Sequence, residues 1–108
     1  MEDAVRNSFE KEMHDIYYRA LKEAHYKATR YFQMIMEHGG LETAKILINT
    51  AHVSDGYTAL WERNRLDLTV EALIHDNPKY HHLFTEEELK IIRKRLIDYE
   101  YKPALGSK

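Results

Sequence analysis

The apolar positions of the chain repeat at helical spacing from the first residues onward. Val5, Phe9, Met13, Ile16, Ala20 and Ala24 recur every three or four residues and share one helical face, which Tyr17 and Leu21 widen. Glu2, Lys11, Arg19, Lys22 and Glu23 fall on the opposite face. This pattern predicts a long amphipathic helix over 3–24, broken near His25. Ala28, Phe32, Ile35 and Met36 predict a second helix over 28–38. Gly39-Gly40 ends it, since glycine readily adopts the left-handed conformation that follows many helices. Leu41, Ala44, Leu47 and Ile48 predict a third helix over 41–50.

The middle of the chain is more broken. Ser54-Asp55-Gly56 is a turn signal. A short helix over 57–62 follows, with Tyr57, Leu60 and Trp61 on one side and Asn64 as its stop. Asp67 is the expected N-cap of a helix ending near His75, its carboxylate taking the orphan N–H groups. Leu68, Val70, Leu73 and Ile74 give that helix apolar surface on more than one side, which makes it central. Pro78 starts a short helical turn. Thr85-Glu86-Glu87-Glu88 reads as a capping box opening a last helix that runs to about residue 100, with Leu89, Ile92, Leu96 and Tyr99 inward. No stretch alternates as a strand does. The expected fold is all-α: a compact cluster of about six helices, with a long N-terminal amphipathic helix and a long capped C-terminal one. A single helical domain over 1–102 and a flexible tail over 103–108 complete the expectation.

Composition narrows the chemistry. A chain of 108 residues suits one domain, and the absence of Cys removes disulfides and thiolate metal sites. The acidic start, Met1-Glu2-Asp3, lacks the features of a signal peptide, and no apolar run reaches the roughly 20 residues of a membrane span. The expectation is a cytoplasmic protein with no membrane association. The net charge of −2 gives no global attraction to nucleic acid. There is no P-loop, no Gly-x-Ser-x-Gly and no Gly-x-Gly-x-x-Gly. No enzymatic activity, catalytic residue or cofactor is therefore expected. The seven His include two pairs four residues after a Glu, Glu10/His14 and Glu71/His75, but no His-Glu-x-x-His. Such pairs are usually ordinary surface contacts, and no metal site is expected.

Three blocks carry a family resemblance: Tyr26-Lys27-Ala28-Thr29-Arg30-Tyr31-Phe32-Gln33-Met34, then Gly39-Gly40-Leu41-Glu42-Thr43-Ala44, then the central stretch followed by Leu83-Phe84-Thr85-Glu86-Glu87-Glu88-Leu89. Together they resemble a family of small bacterial proteins of unassigned function, standing alone or attached to larger proteins, some nuclease-like. The resemblance covers about 26–101 and brings no catalytic motif. It implies a compact bacterial module and a setting near nucleic acid or mobile elements.

Two groups of residues stand out as candidate sites. Around the central turn, Trp61, Arg65, Asp67 and Glu71 offer a polar binding pocket rimmed by an aromatic ring, or else a network that fixes two helices. On the last helix, Lys90, Arg93, Lys94 and Arg95 offer phosphate contacts, joined by Arg19, Lys22, Lys27 and Arg30 if the helices are neighbours. The helices over 57–62 and 68–75 have the outline of a helix-turn-helix. The start of the second carries Asp67, Thr69 and Glu71, poor donors for base edges. Eight Tyr supply ring faces with polar tips, a composition favoured at interfaces. The function expected is a non-enzymatic protein-interaction or accessory module. It binds a protein partner or a second copy of itself, with surplus apolar stripe on the first helix as the self-association surface. Nucleic-acid binding, or a small-ligand or enzyme pocket at the central cluster, are the alternatives.

Overall fold

In a computed structural model, residues 2–101 are described, so the tail expected over 103–108 lies outside the described residues. Six α-helices and two 3-10 turns follow in order. They are α1 (Glu2–Ala24), α2 (Thr29–His38), α3 (Gly40–Asn49), α4 (Asp55–Glu62), a 3-10 turn (Leu66–Leu68), α5 (Val70–His75), a second 3-10 turn (Pro78–Leu83) and α6 (Glu86–Asp98). There is no strand among the described residues, and the all-α class is as the periodicity predicts. No helix among the described residues is long and apolar enough to cross a membrane.

The helix ends explain the boundaries. His25, Asn64 and Glu100 adopt left-handed backbone angles, at φ 55, 62 and 58, and each follows a helix. At Asn64 and Glu100 the chain closes the same double hydrogen bond. Asn64 N–H donates to Trp61 O (3.0 Å) and Arg65 N–H to Leu60 O (2.7 Å); Glu100 N–H donates to Ile97 O (3.0 Å) and Tyr101 N–H to Leu96 O (2.8 Å). The capping box forms in full: Glu88 N–H donates to Thr85 Oγ1 (3.1 Å) and Thr85 N–H to Glu88 Oε1 (2.9 Å). The same Glu88 carboxylate accepts from Lys45 (2.8 Å) and Asn49 (2.9 Å), so one side chain both starts α6 and pins it to α3.

Two local expectations change. Asp67 does not cap α5. The chain first winds through the 3-10 turn, and Thr69 takes the cap, its Oγ1 accepting from Ala72 N–H at 3.1 Å. Ser54-Asp55-Gly56 is the start of α4, with Ser54 Oγ accepting from Tyr57 N–H at 3.1 Å.

α3 lies at the centre, packed against α1, α2 and α6, while α5 packs along α6. Phe9 and Met13 of α1, Ile48 of α3, Ile74 of α5 and Ile92 of α6 meet in the main core. Phe9 sets its ring edge-on to Tyr80 and Phe84, at 5.0 and 5.8 Å between centroids. Burying each such side chain contributes roughly 2–3 kcal/mol. Most of the stripe of α1 is buried: Phe9, Met13 and Ile16 in this core, and Ala20 and Ala24 in a smaller one with Leu60 and Leu68. Val5 and Tyr17 are half-buried, so the apolar surface left over on α1 is confined to the margin of its stripe. The large exposed apolar residues of α1 are Leu21, which widens the stripe, and Tyr18.

α3 begins on a carboxylate from α1. Both oxygens of Glu10 accept from Gly40 N–H, at 2.8 and 2.7 Å. A negative charge against the first N–H groups of a helix is favourable. The approach requires glycine, because a Cβ on Gly40 would stand 2.9 Å from Glu10 Oε1 and 3.1 Å from Met13 Cβ.

Candidate functional site

The central charges separate into two places. Glu71 leaves the group to which its sequence position assigned it. At the start of α5 it turns inward, only 4% exposed, and meets Arg95 of α6, 8% exposed, at 2.9 Å. Arg95 also donates to Leu47 O (3.1 Å) and Thr50 O (2.6 Å), closing the C-terminal end of α3. Tyr57 completes the knot, its hydroxyl donating to Arg95 O at 3.0 Å. Burial pushes the Glu71 carboxyl up, against the pull of its own backbone N–H and of Arg95. Burial likewise pushes the Tyr57 phenol up. Arg95 is thus withdrawn from the basic face proposed for α6.

Arg65 and Asp67 stay together on the surface. The guanidinium donates to both oxygens of Asp67 at 3.0 Å and reaches Glu23 of α1 at 2.7 Å. Arg19 holds the other side of Glu23, at 2.9 and 3.3 Å. The two guanidinium groups pull the Glu23 carboxyl down to about 2. Arg63 makes a second strap, donating to Ala24 O (3.1 Å) and Ala59 O (2.9 Å) while lying over the Tyr26 ring. These straps tie the end of α1 to the end of α4.

A cavity of about 530 Å³ opens beside Arg65 and Asp67. Trp61, Tyr99, Glu100 and Tyr101 form the rest of its wall with Asn64 and Leu66. The structure thus brings together Trp61, Arg65 and Asp67, leaves Glu71 out, and adds Tyr99 and Tyr101 from the far end of the chain.

A second cavity, of about 400 Å³, runs between α1, α2 and α4. Ile16, Ala20, Ala28, Leu47, Val53 and Leu60 give it apolar walls, and Tyr26 and His52 stand at its margin. Its buried polar groups are engaged within the chain. Tyr31 donates to Met13 O (2.7 Å), Thr69 to Leu66 O (2.7 Å) and Tyr57 to Arg95 O (3.0 Å), while Glu71 accepts from Arg95. Sequence reasoning did not find this cleft. Its walls come from five separate stretches, which no local pattern in the sequence joins.

On α6, Lys90, Arg93 and Lys94 are exposed. Lys94 pairs with Asp98 at 2.8 Å. α6 packs chiefly on α5 and α3. The Glu10/His14 pair sits at 3.5 Å with Glu10 already on Gly40, and His75 turns to Asp76 at 3.0 Å. Among the described residues no three His, Asp or Glu gather as metal ligands.

No protein-family model matches the chain, and no match is found among curated proteins or solved structures.

Proposed function

We propose that the protein is a non-enzymatic interaction module that receives an apolar segment of a protein partner in the cleft between α1, α2 and α4. The observation that carries this reading is the pairing of apolar walls with buried polar groups that are engaged within the chain. Such a cleft rewards burial of apolar surface, at about 25 cal/mol per Å². General acid or base catalysis calls for a group held ready to move a proton. Glu71, the buried carboxyl here, is instead committed to Arg95. The Cys-free composition supports a cytoplasmic setting, and the resemblance of the 26–101 region supports a bacterial one.

The test is capture from a native cell extract with the tagged chain, with and without nuclease, beside the variant Val53→Arg. Val53 is half-buried at the cleft, and a guanidinium there places charge on the apolar wall. A protein retained after nuclease by the wild type and lost by the variant is the expected result. Equal retention by both, or retention of nucleic acid alone, contradicts the reading. The latter moves the function to Lys90 and Arg93.

A further inference from the structure

The cavity beside Arg65 differs in kind from the α1–α2–α4 cleft. We infer that it is a binding site for an organic cation: a guanidinium or alkylated ammonium group carrying apolar substituents.

Three features converge there. The first is aromatic. Trp61 is 45% exposed and stands edge-on to Tyr99, at 5.4 Å and 84°, with Tyr101 in the same wall. Ring faces attract a cation through their quadrupole, tryptophan most strongly. The second is the backbone. The cavity wall includes residues just past the C-terminal ends of α4 and α6, where helix dipoles favour positive charge. The third is charge. Arg65 lines the cavity, but Asp67 grips it through two hydrogen bonds at 3.0 Å and Glu23 adds one at 2.7 Å. Glu100, exposed in the same wall, forms no ion pair among the described residues. An anion would meet Glu100 and both helix ends. A neutral apolar group would strip water from two carboxylates without replacing it. A cation with an apolar skirt meets rings on its sides and a carboxylate at its charge. At about 530 Å³, the cavity accommodates a group of that size.

The chemistry is shared by free quaternary amines and by the arginine side chain of a partner, and the experiment separates them. Trp61 is the only Trp, so its emission reports this cavity alone. The full chain is titrated with choline and with its neutral isostere 3,3-dimethyl-1-butanol. It is then titrated with N-acetyl-arginine methylamide and with the corresponding citrulline derivative. A saturable change is expected for the cations, on the order of tenfold tighter than for the neutral partner of each pair. The tighter cation names the source, a small amine or a polypeptide side chain. Glu100→Gln is expected to weaken cation binding about threefold to fivefold. Trp61→Leu, followed through the ring proton shifts of Tyr99 and Tyr101, is expected to lose the saturable response. Circular dichroism shows whether both variants are folded. Identical curves for cation and isostere, no saturable change with any cation, or unchanged binding by both folded variants would overturn the assignment.

Discussion

Replacing Arg95 with Met leaves the shape of the side chain and removes its charge and donors. Glu71, 5% exposed at its side chain, then loses its partner at 2.9 Å, and the carbonyls of Leu47 and Thr50 lose theirs at 3.1 and 2.6 Å. Breaking a buried pair by removing one member costs about 3–5 kcal/mol, because the other charge stays buried. Each unpartnered carbonyl adds about 1 kcal/mol where water does not reach it. We therefore predict a loss of about 5–7 kcal/mol for Arg95→Met, a large share of the roughly 5–15 kcal/mol typical of a domain. Glu71→Gln removes the costly charge and keeps an acceptor, so its loss is smaller, about 1–2 kcal/mol. The double variant has no buried charge left. It is expected to be at least 1 kcal/mol more stable than the sum of the single losses. Urea unfolding followed by circular dichroism measures all four proteins. pH gives an independent sign. A buried carboxyl whose folded pKa is raised destabilises the fold as pH climbs above its unfolded value of about 4.5. Arg95→Met strengthens that effect, so it should be nearer wild type at pH 5 than at pH 8. A loss below 1 kcal/mol, or strict additivity in the double variant, would refute the buried-pair account.

Other predictions follow from single contacts. Gly40→Ala brings a methyl to 2.9 Å from Glu10 Oε1 and 3.1 Å from Met13 Cβ, and should cost about 1–3 kcal/mol in thermal or urea unfolding. In the Glu10→Ala background the clash with the carboxylate is gone, and the cost of Gly40→Ala should shrink. Thr43 is fully buried and its hydroxyl has no hydrogen-bond partner, so Thr43→Val should be neutral or stabilising by up to about 1 kcal/mol. The Glu23 carboxyl is held at about 2 by Arg19 and Arg65, below its ordinary 4.5. Its stabilising effect is therefore present above pH 4.5 and is lost as pH falls through 2; carboxyl titration by NMR, with and without Arg65→Gln, reads this directly.

Much of the fold was legible because periodicity and end signals agreed. The stripe from Phe9 to Ala24 did become the buried side of α1, and the capping box closed as its spacing implied. The misassignments have physical causes. Asp67 resembles an N-cap, but Arg65, two residues away, engages its carboxylate, and Thr69 caps α5 instead. Arg95 was counted with the surface charges of α6, although it lies three residues after Ile92 and four before Tyr99, on the inward stripe. Glu71 stands within an apolar run, between Val70 and Ala72. A charge at a core position on each of two helices is the signal that could have paired them. The contact of Glu10 with Gly40 spans thirty residues and left no local mark. The same holds for the meeting of Trp61 with Tyr99 and Tyr101, which depends on how two helix ends dock.

The interaction reading is tested most directly by mapping where a captured partner touches the isotopically labelled chain. Amide shifts on adding the partner are predicted to concentrate at Tyr26, Ala28, Val53 and Gly56, around the cleft between α1, α2 and α4. Shifts confined to Lys90, Arg93 and their neighbours on α6, with the cleft unchanged, would contradict it.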